Sequence, residues 1–488
     1  MELKTLMNKK IKGLHIILLF ALLLLFVHDL GMLPLMNWDE GRLAVNAAWV
    51  LKAQDWLVMR GPDGRPDLWN TKPPLQIWLQ ALFLQILGYN EFAHRLPSAL
   101  AGWLTSVVLY FFAWKVLRQP NAGLVAAIIL ATSSGFVGFH VTRTGDYDAL
   151  LTLFVTGYVL AFWAFLETSH SRYLALAILG LSLALFTKCA AALLPLPALA
   201  GYMLLHPSAR AKFLEVKVWV GMLIALLPLV IYYILREQAS SGYLAATWQN
   251  DWIGRIDGST HQQHLPWWIY LQDLFTKGLL VWAPFAALAV GSMVYFRRSF
   301  SLIGFFSVWQ ATGVLVALML CRTRFPWYDA QVYPFMALFI AFALCQLSQE
   351  PRFRRTRCIL LFAMIAAAGA AWYRELHRAQ VLRDPYLMYG VAIKQITASP
   401  SIVPPVVLLR EKFNSALDFW LLTMPAEQRG RFTVEEMSAN KVEELQTGQQ
   451  VCGCYPEYLA EVEKRFQTSS VLKISPCWFL TLGEVKQH

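Results

Sequence analysis

The chain has 488 residues, 57% of them hydrophobic and only 15% charged, with a formal net charge of +11. A soluble domain carries about a quarter charged residues; here the shortfall is concentrated in long apolar runs, which excludes a wholly soluble fold and points to one that crosses a bilayer. The basic residues stand in short clusters between those runs rather than along one solvent-facing surface, so nucleic acid is set aside as a partner.

In chain order, a basic N-terminus (Lys4, Lys9, Lys10, Lys12) leads into an apolar stretch at 14–27. His28, Asp29 and a second apolar patch follow where a signal peptide would show a small-residue cleavage site, so this reads as an uncleaved first span. At about 20 apolar residues per spanning helix, the candidates are 14–34, 95–117, 121–140, 149–167, 172–187, 189–206, 217–236, 276–296, 301–321, 329–348 and 357–373, eleven in all. With the N-terminus inside, the clusters Lys115 with Arg118, Arg172, Arg210 with Lys212 and Lys217, Arg297 with Arg298, and Arg352 to Arg357 all fall on the cytoplasmic side, as the positive-inside rule requires. The outer loops are then 37–94, 140–148, 237–274 and 322–329, mixed in charge and rich in aromatics.

Beyond residue 373 the sequence turns soluble in character. Short β-like runs at 403–409, 450–455, 470–474 and 478–482 alternate with helical ones at 416–422 and 457–466. The expected architecture is a polytopic α-helical membrane domain, 1–373, with its first outer loop at 37–94, followed by a small α/β domain, 374–488, that the odd span count places in the periplasm. None of the seven cysteines has zinc-finger spacing; Cys452, Cys454 and Cys477 could pair if that domain lies outside. Dinucleotide, P-loop and zincin motifs are absent.

Chemistry concentrates in the outer loops. Asp39 and Glu40 open the first of them, in Asn37-Trp38-Asp39-Glu40-Gly41-Arg42. Adjacent carboxylates at a membrane boundary suit a general base, or equally the acidic first turn of a helix. Lys72 precedes Pro73-Pro74 on a stiff, extended backbone and suits a lipid phosphate as a point charge; a lone interfacial lysine also snorkels. Arg42, Arg322 and Arg324 fall on the same face, and four cations beside carboxylates fit an anionic headgroup. Asp146 and Asp148 sit in the third-span turn, and His264 precedes Leu265-Pro266-Trp267-Trp268.

As a set and in this order, several motifs resemble one family: Asp39-Glu40-Gly41-Arg42, Asp55-Trp56, Lys72-Pro73-Pro74-Leu75 with Trp78, and Glu91-Phe92-Ala93-His94-Arg95-Leu96. Asp148 before Ala149-Leu150-Leu151, Thr187-Lys188, His264-Leu265-Pro266-Trp267, and Tyr328 with Pro334 continue the likeness. The family is the aminoarabinose transferase (ArnT-like) and protein O-mannosyltransferase superfamily of GT-C fold glycosyltransferases. The likeness covers about the first 350 residues; the tail matches only in placement.

The resemblance implies a multi-pass protein of the cytoplasmic membrane that takes a sugar from a polyprenyl-phosphate donor and passes it, with inversion, to an envelope acceptor such as a lipid, glycan or protein. Asp39 becomes the base, with Glu40 and Asp148 as further catalytic carboxylates; Lys72, Arg42, Arg322 and Arg324 face the donor phosphate, and His264, Tyr328 and Asp146 contact substrate. Many aminoarabinose-branch relatives have Glu just before Lys-Pro-Pro; here it is Thr71. A metal shared between that Glu and the later histidine would lose a ligand, so no metal or other cofactor is expected. The rivals are a polyprenyl-lipid or glycan flippase, which would place polar or broken helices at the midplane, and a structural subunit of a glycan machine.

Overall fold

The computed structural model describes every residue except 1, 260–264, 354–356, 377–384, 400, 401, 403, 404, 412, 438–440, 475, 487 and 488. The chain forms two compact units, Met1–Leu30 with Leu68–Leu79 and Arg95–Arg378, and Gly31–Asp67 with Gln80–His94 and Ala379–His488. The first outer loop, expected within the membrane domain, is thus shared between them.

The first unit is helical and apolar. Each of the eleven hydrophobic stretches contains a helix. Among the described residues, seven helices are long and apolar enough to cross a membrane, and an eighth span results if the bent pair Ala190–Leu205 and Pro207–Phe213 is counted as one. Three other stretches hold shorter apolar helices, Gly13–Val27, Pro120–Ala131 and Cys358–Arg374. The stretch expected to run to 140 stops at Ala131, because the Thr132 and Ser133 hydroxyls turn back onto the carbonyls of Ile128 and Ile129 and the chain leaves the helix. Small residues let helices approach closely: a Cβ on Gly123 would lie 2.8 Å from that of Ala113.

The second unit is built on a five-stranded sheet: β1 (Val406–Arg410), β2 (Phe432–Glu436), β3 (Gln450–Gly453), β4 (Phe466–Ile474) and β5 (Cys477–Val485). Their order is β2-β1-β3-β5-β4, with β1 parallel to β2 and β3, and β5 antiparallel to β3 and β4. Side chains alternate across the sheet. Val406, Leu408 and Cys452 pack on one face with Leu417 and Phe479; Val407, Leu409 and Val451 pack on the other with Val462 and Leu480. Cys454 and Cys477 form a disulfide. β2 escapes sequence reading because it is a half-exposed edge strand ending in two glutamates. The helix Asp39–Ala53 also belongs to this unit, where Asn46 donates to the Arg60 carbonyl and to Asp67.

Candidate active site

In the membrane unit, a cavity of about 240 Å³ is lined by Lys72, Asp148, Lys188, Asp251, Arg255 and Tyr328 among apolar neighbours such as Leu194 and Leu318. Asp148 opens the helix Asp148–Thr168, and Lys188 closes Ser171–Lys188. The two helices pack together, so the lysine meets the carboxylate and donates to both of its oxygens, at 2.8 and 2.9 Å. Lys188 also lies 4.8 Å from the Tyr328 ring centre, and Arg255 donates to the Tyr328 hydroxyl at 2.8 Å. Asp148, Lys188, Tyr328 and Arg255 form a continuous polar chain along the wall.

Lys72 lies 3.8 Å from Asp251 and 5.5 Å from the centre of the Tyr147 ring. Its segment is strapped to the stretch 243–251. Thr71 donates to Asp251 at 2.6 Å, the Tyr243 hydroxyl donates to the Thr71 carbonyl at 2.6 Å, and Asn250 donates to the Leu68 carbonyl at 3.1 Å. Burial pushes the Tyr243 hydroxyl above the ordinary tyrosine range, so it stays a neutral donor. The cavity thus combines apolar walls with a few convergent polar groups, the usual make-up of a ligand pocket.

Asp146 does not line this cavity. Its carboxylate accepts from Thr144 and stands 3.4 Å from His140, whose ring stacks on Trp327 with centroids 3.7 Å apart. His140 lines a second cavity, of about 220 Å³, with Asp273, Lys277, Asp329 and Tyr333.

In the second unit, Asp39 is exposed at the start of its helix, whereas Glu40 is fully buried and accepts from the Met36 backbone N–H at 2.7 Å. Neighbours on a helix point about 100° apart, so Glu40, expected beside Asp39 as a further catalytic carboxylate, braces the turn before the helix. Arg42 lies 5.1 Å from the centre of the Phe413 ring. Arg322 and Arg324 do not line the Lys72 cavity. Arg322 is exposed, and Arg324 donates to the carbonyls of Leu265 and Met319. His264 lies outside the described residues. Asp251 and Arg255 were missed in the sequence, where nothing marks them within a long mixed-charge loop; Lys188 was visible only in the motif Thr187-Lys188.

Comparison with known proteins gives the same class. Residues 71–234 match the dolichyl-phosphate-mannose-protein mannosyltransferase family. The fold is the one seen in crystal structures of ArnT. The chain is 25% identical over 386 residues to the undecaprenyl phosphate-alpha-4-amino-4-deoxy-L-arabinose arabinosyl transferase of Pseudomonas aeruginosa strain LESB58, covering 76% of this chain and 68% of that protein. It is 26% identical over 444 residues to a second such transferase from Pseudomonas fluorescens, covering 87% and 73%. The crystal structure of ArnT from Cupriavidus metallidurans bound to undecaprenyl phosphate superposes with a TM-score of 0.69 at 16% identity, over 95% of this chain and 97% of that one. The archaeal oligosaccharyltransferase AglB from Archaeoglobus fulgidus, in complex with an inhibitory peptide and a dolichol-phosphate, gives 0.55 at 12% identity, over 97% and 74%.

Proposed function

We propose that the chain is an integral-membrane glycosyltransferase that moves a sugar from a polyprenyl phosphate to a lipid, glycan or protein acceptor at the outer face of the cytoplasmic membrane. The observation that carries this reading is the cavity in which Lys72, Lys188, Arg255 and Tyr328 converge around Asp148, inside a fold shared with an ArnT bound to undecaprenyl phosphate. A phosphate leaving group gains charge as the sugar departs, and preorganised cations and hydroxyls lower the barrier by meeting that charge. Lys72 and Arg255, with the Tyr328 hydroxyl, are the groups suited to it; Lys188 is committed to Asp148 and orients it.

In the transfer, an acceptor hydroxyl oxygen attacks the anomeric carbon from the face opposite the phosphate, the carbon–oxygen bond to phosphate breaks, and the electron pair leaves with the polyprenyl phosphate. Asp39 takes the acceptor proton. That role rests on the family motif, and exposure of Asp39 on its loop is compatible with it. The reading includes no metal step, since Thr71 supplies a hydroxyl in place of a carboxylate and donates it in a hydrogen bond to Asp251. The disulfide between Cys454 and Cys477 supports a periplasmic 374–488 domain, because disulfides persist in oxidising compartments. The relatives named above are transferases, which favours transfer over lipid flipping.

The test is release of undecaprenyl phosphate from a panel of undecaprenyl-phosphate-linked sugars, by purified protein in nanodiscs with an envelope lipid extract as acceptor. Asp39→Asn should slow release about 10²–10⁴-fold, the usual contribution of a general base, while leaving the protein folded. Release at the wild-type rate by that variant would remove Asp39 from the mechanism. Chelation with EDTA should leave the rate within about twofold; a loss restored by added divalent cation would reinstate the metal.

A further inference from the structure

Asp39 leaves its own backbone at an unusual point. The residue before it, Trp38, has φ 68° and ψ −113°, a conformation that side-chain-bearing residues rarely adopt. Such strain persists only where the surroundings over-determine it. The surroundings here come from the far end of the chain. Asn37 is buried, and its side-chain oxygen accepts from the backbone N–H of Ser415 at 2.9 Å and from the Ser415 hydroxyl at 2.9 Å. The Trp38 ring packs on Phe413 with centroids 5.0 Å apart. A Cβ on Gly41 would sit 2.4 Å from the Ser415 Oγ, so the first turn of the helix is pressed directly onto this serine. Ser415 is itself fixed, since the neighbouring Asn414 caps the helix Ser415–Thr423 by accepting from Leu417.

We infer that Asn37 and Ser415 are positioning residues that hold the strained Trp38 turn and thereby aim the Asp39 carboxylate. The inference rests on the reading of Asp39 as general base. A base must lie within about 2.6–3.2 Å of the proton it removes, and a misplacement of about 1 Å costs on the order of 10²-fold. Freed from Ser415, Trp38 relaxes to negative φ and the carboxylate swings with it. The 374–488 domain is therefore part of the catalytic apparatus.

The test compares Asn37→Ala, Asn37→Asp, Ser415→Ala, Asp39→Asn and a control, Val462→Ala, which opens the opposite face of the sheet. All are full-length proteins in nanodiscs, assayed for undecaprenyl phosphate binding and for sugar release with the panel above. Asn37→Ala should lose about 10- to 100-fold in kcat with undecaprenyl phosphate affinity within about twofold. Ser415→Ala should lose less, because its N–H still reaches Asn37. Asn37→Asp, which keeps the accepting oxygen, should recover most of the rate. Val462→Ala should lower Tm without lowering kcat. Should Asn37→Ala not fold, the single-hydroxyl deletion in Ser415→Ala decides the matter. Wild-type kcat in Ser415→Ala and Asn37→Ala, with Asp39→Asn inactive, overturns the positioning role alone. An equal kcat loss in Val462→Ala also overturns it. An active Asp39→Asn overturns the general-base reading and the positioning role together.

Discussion

Lys72 and Lys188 carry the same charge and line the same cavity. Lys188 gives two short hydrogen bonds to Asp148, while Lys72 stands 3.8 Å from Asp251 and 5.5 Å from the centre of the Tyr147 ring. Lys72→Ala should weaken undecaprenyl phosphate binding by about 10- to 100-fold, the worth of one charge-assisted hydrogen bond, with little change in Tm; unchanged affinity would move the phosphate to Arg255 and Tyr328. Lys188→Met should act on stability first. Removing one partner of a buried ion pair costs about 3–5 kcal/mol, and adding Asp148→Asn should recover most of it without restoring transfer. Thermal unfolding of the two variants in detergent checks this, and a single variant as stable as the double would show that the pair is not coupled. Lys72 was legible in the sequence because Pro73-Pro74 stiffens its backbone. Asp251 and Arg255 were not, because their place is set by the tertiary strapping of 68–72 onto 243–251. Glu40 looked like a twin of Asp39 only when the 100° helical step between neighbours was ignored.

The elements around the site show why some boundaries were readable and others not. Hydrophobic runs located the seven helices that are long and apolar enough to cross a membrane among the described residues, since bilayer thickness sets their length, but another run ended early where the hydroxyls of Thr132 and Ser133 make bonds no hydropathy window registers. Within the first outer loop, Asp55 is the local anchor: it accepts from the N–H groups of Leu57 and Val58 and pairs with Arg60 at 2.9 Å. Burial pushes its carboxyl upward, but those hydrogen bonds and the guanidinium outweigh it and hold it below the usual carboxylate range. The folded group is thus the stronger acid. Its contribution to stability is full above the unfolded value of about 3.9 and is lost as pH falls through the lower folded value. Asp55→Asn should therefore make protease resistance of residues 55–67 lower at neutral pH and flatter between about pH 5 and 2. A variant with the wild-type acid profile would show that Asp55 does not anchor the loop.

At the scale of the molecule, sidedness decides whether the chemistry can occur outside the cell. Cys454 and Cys477 are joined, and Cys452 is buried with its thiol pushed up to about 12 by desolvation. A membrane-impermeant maleimide on intact spheroplasts should accordingly leave 374–488 unlabelled. It should label Cys454 or Cys477 after reduction in urea mild enough to keep the bilayer sealed. Cys358, exposed at the start of the helix Arg357–Leu376 and expected inside, should label only after permeabilisation. Labelling of Cys454 and Cys477 confined to permeabilised cells would reverse the orientation.

The bond between Asn37 and Ser415 spans 378 positions of sequence. A ribosome adding about 5–20 residues per second needs roughly 20–75 s to travel that distance, during which the first loop has been delivered and its anchor has not yet been made. A stop codon before Ser415 should thus leave the start of the Asp39 helix without this anchor, however much of the membrane domain has been made.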